Sequence, residues 1–308
     1  MGITKYLLPP KLYREKCIQS SLRKQRKVTD KWSDIIDKYF RGETEKFNIQ
    51  PKKQFKENEK IIWQYWGQGV ENSTIPEIVQ ICFDSIDKYK GDYRVIRLSD
   101  STISDYVDIP DFVWNKRKNN SEFTTTFFSD LLRLILLDVY GGVWMDATIL
   151  LTDYLPQKYA DLDYFFFSRS KEELYKEYWM NYDAYYFCWR DDFKVNFLSS
   201  IIFAKKSSEL IHNLMNVMLL FWKYSQTLPC YFTLHVIYDD IIIRKMPYAK
   251  CPEVSDCLSH IIQSKVRRKN PHYSYEDAIQ LTGIHKMKYY KEKELAKLKE
   301  VLSDLSEL

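Results

Sequence analysis

The chain has 308 residues, is 45% hydrophobic and 16% aromatic, and contains only 8 Gly and 10 Pro, which excludes a disordered, low-complexity or collagenous protein. Its net charge of +4 hides an asymmetry. Residues 1–60 hold 16 Lys/Arg against 8 Asp/Glu, an excess of +8 that leaves −4 for the rest, and a short basic patch of this kind does not by itself indicate nucleic-acid binding.

Taken in chain order, Met1 to Pro10 lacks the long apolar segment of a secretory leader. A basic run, Arg23-Lys24-Gln25-Arg26-Lys27, precedes Trp32, Ile35, Ile36, Tyr39 and Phe40, whose spacing marks one face of a helix. Two destinations suit that face. It can pack on the rest of the protein, which is the favoured reading, or its Trp32 and Phe40 can enter an anionic membrane interface. Ile61–Tyr65 reads as a strand, Pro76–Tyr89 as a helix, Tyr93–Leu98 as a second strand, and 99–118 as loop with a short helix. Thr124–Tyr140 is a long apolar helix and Val143–Leu151 a third strand. Tyr164–Ser168 and Phe197–Ala204 follow as strands, then Glu209–Trp222 and Leu234–Ile243 as helices, and Lys288–Leu308 as a charged amphipathic helix. This alternation predicts an α/β fold with a mostly parallel sheet in its first half. The six cysteines form no C-x-x-C pair and are expected as free thiols in a reducing cytoplasm. No apolar run reaches the length needed to span a bilayer.

The chemistry concentrates between residues 129 and 148. Asp130 and Arg133 are spaced i, i+3 and so share a helix face. Leu131, Leu132, Leu134, Ile135 and Leu137 make that helix largely buried, and buried charges without a function are costly. Gly141 or Gly142 can take the left-handed position that ends the helix. The apolar strand after it carries one acid, Asp146, close to where loops of an open α/β sheet build binding sites. An unpaired carboxylate there demands a cation or donors. Asp130 and Arg133 suit sugar hydroxyls, and Asp146 suits a hard cation.

Asp130-x-x-Arg133, the Leu-rich helix around it and Gly141-Gly142-x-Trp144-x-Asp146 resemble the core of the capsular polysaccharide synthesis glycosyltransferases. These are close to the retaining sugar transferases with an Asp-x-Asp motif, and more distantly resemble glucosylating bacterial toxins. The resemblance extends over residues 60–290, from Ile61-Ile62-Trp63-Gln64-Tyr65-Trp66-Gly67 through Asn196-Phe197-Leu198-Ser199-Ser200 to Gly283-Ile284-His285-Lys286. It implies a GT-A-type nucleotide-sugar-binding sheet flanked by helices over 59–290. A basic helical extension (1–58) and a C-terminal amphipathic helix (291–308) are added to it. It implies nucleotide-sugar contacts from Trp66, as a stacking platform for uracil, and from Gln64, Asp130, Arg133, Asn196, Lys286 and Lys288. It also implies a Mn²⁺ or Mg²⁺ ion held by Asp146, by Thr148 (which stands where the motif's second Asp would be) and by His285. His235 and Asp239, on one face of an apolar helix, are candidates for the acceptor, and Ser199-Ser200 for the sugar pocket.

The implied activity is retaining transfer of galactose or glucose from a UDP-sugar to a lipid-linked oligosaccharide during capsule synthesis. The enzyme is expected in the cytoplasm, held peripherally at the inner face of the plasma membrane. Two other classes stay open at this point. One is a toxin-like enzyme that glycosylates protein; the other is a sugar- or membrane-binding protein without catalysis.

Overall fold

The computed structural model describes residues 9–71 and 74–306. The leader reading at residues 1–10 and the last two residues of the C-terminal helix therefore fall almost wholly outside the described part.

The described residues open with one 31-residue helix, α1 (Pro10–Phe40), which carries a proline in its first turn, where a missing N–H costs nothing. Strand β1 (Ile61–Tyr65) is followed by helix α2 (Glu77–Tyr89) and strand β2 (Arg94–Leu98), with β2 parallel to β1. Helices α3 (Asp111–Asn119) and α4 (Thr125–Tyr140) lead into β3 (Gly142–Met145), which is also parallel to β1. The second half is antiparallel: β6 (Ile201–Ala204) pairs with β3, and β5 (Tyr164–Phe165) pairs with β6. The five strands run in the order β2-β1-β3-β6-β5. A separate ribbon joins β4 (Ile149–Leu151) to β7 (Ile284–Lys286). The chain is thus a mixed α/β protein whose central sheet is flanked by helices, including one at each end of the described residues.

Helix α4 is the spine. Thr124 caps its first turn by accepting from the Phe127 N–H at 3.4 Å. At its other end Gly141 and Gly142 have φ of +72° and +102°, and a Cβ on either would lie 2.6 Å from Lys206 N or 2.5 Å from Ile61 O. Only glycine lets the helix stop and the chain dive straight into the sheet. Almost every side chain from Phe127 to Val139 is buried. One side of α4 packs on the helix Glu209–Tyr224, where the Phe127 and Trp222 rings stack with centroids 5.2 Å apart.

One expectation is corrected here. The apolar stretch 143–151 is not one strand. It breaks at Asp146-Ala147-Thr148, where Asp146 N–H bonds Ser200 O and Ile149 N–H turns back onto Asp146 O. The break hands β4 to a different partner and aims Asp146 and Thr148 sideways. The favoured reading of the N-terminal helix, packing of its apolar face on the rest of the protein, is borne out in α1. Val28, Trp32 and Ile36 are fully buried in the main core, with Trp32 4.7 Å from the Phe221 ring. Its N-terminal half packs through Cys17, Ile18 and Leu22 on Cys188, Phe193 and Val195. Withdrawing this stripe to reach a bilayer would forfeit roughly 1.5–3 kcal/mol per large side chain. One basic residue at an anionic surface gains only about 1 kcal/mol. Packing therefore wins for the apolar face, while Arg23, Lys24, Arg26 and Lys27 all lie exposed on the other.

Smaller differences are of boundary. The helix beginning at Thr233 passes from α-helical turns into a π-helical stretch, Ile237–Ile242. The C-terminal helix starts at Glu292 rather than 288. All six cysteines are free, five of them buried. Among the described residues no helix is long and apolar enough to cross a membrane.

Candidate functional site

Parallel strands β1 and β3 end on the same edge of the sheet, and β6, running the other way, begins there. That edge carries Asp146 after β3, Ser199-Ser200 before β6, and Trp66 after β1. Helix α4 brings Asp130 and Arg133 beneath it. Strand β7 is zipped beside the Asp146–Thr148 turn by the Met287 N–H to Thr148 O bond of 2.8 Å, with Lys286 opposite Ile149. These elements enclose a cleft of about 360 Å³.

The cleft's charges form one chain of contacts. Arg133 is 2% exposed, and its guanidinium lies 2.6 Å from Asp130 Oδ1 and 3.1 Å from Asp146 Oδ1. The indole N–H of Trp144 donates to the same Asp146 oxygen at 2.8 Å. Lys286 Nζ lies 3.3 Å from Asp146 Oδ2 and 2.7 Å from Thr148 Oγ1. The two carboxyls respond in opposite directions. Burial pushes Asp130 up to about 6, because the Arg133 charge offsets only part of the desolvation and Asp146 adds repulsion. Burial also acts on Asp146, but Arg133, Lys286 and the Trp144 N–H outweigh it, and its carboxyl ends below the usual range. Two such carboxyls on one guanidinium give one reluctant and one firm anion.

The other expected residues divide. Lys288 lines the cleft, and burial and the nearby Arg267 and Arg268 charges depress its ammonium pKa against a partial lift from Asp183. Ser199, Ser200 and His235 line it too. His235 stays neutral, pushed down to about 3 by burial and by Arg133, and its Nδ1 has no partner among the described residues. Trp66 stands half-buried on the same edge, outside the cleft lining, packed against the cluster around Ile78 and Val79.

Gln64 does not reach the cleft. It is fully buried within β1, where its Oε1 accepts from Arg97 Nε at 2.9 Å. Asn196 is turned away as well, its amide donating to Asp239, which also lies outside the cleft and 3.6 Å from Lys194 Nζ. His285 faces away from Lys286 on the alternating strand β7. It is fully buried with Nε2 2.9 Å from Thr152 Oγ1, and burial lowers its pKa to about 3.

The expected metal set does not assemble. A divalent ion in a diphosphate site needs one or two protein oxygens free to bind it, the diphosphate and water supplying the rest of its shell. Here both Asp146 oxygens are engaged by cationic or N–H donors, and the Thr148 hydroxyl is engaged by Lys286. No three His, Cys, Asp or Glu side chains converge on a metal position among the described residues. The residues present do not fit a divalent ion.

Sequence reasoning missed a buried ion pair behind the wall of the site. Arg169 and Asp256, both buried, pair through two contacts of 2.9 Å, and Arg169 also holds the Tyr186 and Cys188 carbonyls. Tyr186, Phe187, His260 and Gln263 complete the wall above them. A lone Arg closing the apolar run Tyr164–Ser168 was the only available signal; Asp256 lies 87 positions later with none. A larger groove of about 780 Å³ lies at the opposite edge of the sheet, rimmed by Lys53, Lys56, Lys60, Lys205 and Lys206. It contains none of the expected residues, and ligands of open α/β sheets bind at the carboxyl ends of parallel strands.

The model of the family described as "Capsular polysaccharide synthesis protein" matches residues 14–305. No curated protein matches the sequence. One solved structure similar to the chain is titled "PaToxG Glycosyltransferase": 13% of residues are identical, 92% of this chain and 96% of that one are covered, and the TM-score is 0.35. So loose a superposition carries no argument.

Proposed function

The chain belongs to the capsular polysaccharide synthesis protein family, and from that premise we propose that it is a GT-A-type glycosyltransferase using a UDP-hexose donor. The observation that carries this reading is the meeting of Asp130, Arg133, Asp146 and Lys286 in one cleft at the carboxyl edge of the parallel strands. A polyhydroxyl sugar calls for fixed acceptors and a multi-donor fork, supplied by Asp130 and Arg133. A diphosphate calls for positive charge, supplied by Lys286 and Lys288. Trp66 on the same edge offers an aromatic face to the base. The acceptor hydroxyl attacks C1 from the face the diphosphate leaves, so the anomeric configuration is retained and no side-chain nucleophile is needed. His235, neutral and with its Nδ1 unbonded among the described residues, is suited to bond an acceptor hydroxyl. Galactose or glucose is the proposed hexose and a lipid-linked oligosaccharide the proposed acceptor. Incubation with a panel of UDP-hexoses and proton NMR of the released or transferred sugar tests this. An α-linked product supports it; a β-linked product contradicts retention, and the absence of UDP release with every donor contradicts the donor class.

Asp130 gives the reaction a pH signature. Its ionised form is the better acceptor for sugar hydroxyls, so kcat/KM should fall on an acid limb centred near pH 6. Because the folded pKa lies above the ordinary 3.8, the native state holds an extra proton between about pH 4 and 6. This group therefore adds stability as pH falls through that window. His235, His260 and His285, lowered to about 3, about 4 and about 3 mainly by burial, take up protons first in the unfolded state and so subtract stability as pH falls below the ordinary 6.5. Parallel pH profiles of kcat/KM and Tm check the assignment: a Tm that collapses together with the activity would make the limb an unfolding event.

A peripheral membrane position is supported by the exposed basic face of α1 alone. Neutralising Arg23, Lys24, Arg26 and Lys27 together should weaken binding to anionic liposomes, by about 1 kcal/mol per residue near the surface, and high salt should do the same. Donor hydrolysis in solution should stay nearly unchanged. Absence of liposome binding by the unmodified protein in a sedimentation assay contradicts this placement.

A further inference from the structure

We infer that Lys286 takes the place of a divalent metal at the Asp146-Ala147-Thr148 turn, so that the donor diphosphate binds and leaves without Mn²⁺ or Mg²⁺. The inference rests on the UDP-hexose reading above and deepens it. Its ground is the donor set. The two oxygens that face each other across the turn, Asp146 Oδ2 and Thr148 Oγ1, are both within hydrogen-bond or ion-pair reach of one ammonium, at 3.3 and 2.7 Å. That ammonium is delivered by design of the fold: β7 pairs with β4 in a fixed register, and Met287 N–H bonds the carbonyl of Thr148 itself.

Charge balance points the same way. Two carboxylates, Asp130 and Asp146, face two cations, Arg133 and Lys286, within contact distance. The cluster is neutral as it stands. A second acid at position 148 would leave a net negative charge for a divalent ion to fill, but Thr148 brings none. A divalent ion placed here would meet the positive charge of both Lys286 and Arg133 at close range. The histidine that was expected to complete a metal shell is buried on the far face of β7 and bonded to Thr152.

In the reaction, the bond between hexose C1 and the β-phosphate oxygen breaks with its electron pair going to the oxygen, and the acceptor oxygen bonds to C1. The acceptor's proton passes to the departing diphosphate. Lys286 keeps its own proton throughout and offsets the charge that grows on the leaving oxygen, the task a metal would otherwise perform.

The test is calorimetric titration of UDP into the whole 308-residue chain, stripped of metal, in EDTA and again with Mn²⁺. The expected result is the same affinity in both. Lys286→Met should weaken UDP binding in EDTA roughly tenfold or more, as expected for loss of a hydrogen bond to a charged group, and Lys286→Arg should weaken it less. UDP binding that appears only with Mn²⁺ overturns the inference while leaving the donor reading intact. Undiminished binding by Lys286→Met also overturns it. Absence of UDP binding under both conditions overturns the inference and the donor reading together. Should the Met variant melt early, the wild-type comparison and the Arg variant decide the question without it.

Discussion

Asp146→Ala is expected to abolish hexosyl transfer, a loss of at least roughly 10²–10³-fold in kcat by analogy with removal of a preorganised electrostatic group. The residue holds three donors at once: Arg133, the Trp144 indole and Lys286. Its removal leaves the lysine bonded to the turn through Thr148 alone and the Trp144 N–H without its acceptor. The buried guanidinium keeps Asp130, 2.6 Å away, so the protein should still fold, with a stability loss of about 1–3 kcal/mol for the unsatisfied donors. Asp146→Asn should fare little better, since an amide presents one acceptor oxygen and turns an NH₂ toward a cation or an indole N–H. Turnover by either variant within a few-fold of wild type, measured as UDP release, would remove Asp146 from the chemistry.

Arg133→Lys should be the second most damaging change, although it keeps the charge. The guanidinium bridges two carboxylates through different nitrogens, Nη1 to Asp130 and Nη2 to Asp146. A single ammonium at the end of a flexible stem serves one of them well and abandons the other. Breaking a buried pair costs roughly 3–5 kcal/mol, and kcat/KM should fall roughly 10²-fold with the loss of orientation. A second readout separates this from simple loosening of the core. Arg133 holds the Asp130 pKa down against burial, so a weaker contact should move the acid limb of the activity profile above pH 6. An unmoved limb with normal activity would make Arg133 a packing residue.

The parts of the molecule that were legible in the sequence are those where periodicity and glycine chemistry agree. Helix α4 and the Gly141-Gly142 stop follow from an apolar run ending where only glycine fits. Asp130, Arg133 and Asp146 stand out because isolated charges in apolar elements demand partners. The break at 146–148 was hidden because the apolar residues continue through it on both sides. What ends the strand is a change of hydrogen-bond partner, Ser200 for Asp146 and Met287 for Thr148, brought from 54 and 139 positions away. His285 and Gln64 misled for one reason. A polar residue on a strand can face either side, and a one-residue shift exchanges the two. Lys286 faces the cleft because β7 pairs with β4 in this register. The Arg169–Asp256 pair has no local pattern at all, being assembled wholly by tertiary contacts.

A crystal structure of the chain with its UDP-hexose bound decides where the donor sits. The diphosphate should lie within hydrogen-bond distance of Lys286 Nζ and the hexose hydroxyls on Asp130 and Arg133, in the cleft at the carboxyl edge of β1 and β3. Density for the nucleotide in the lysine-rimmed groove at the opposite edge of the sheet, beside Tyr93 and Gly142, would contradict it.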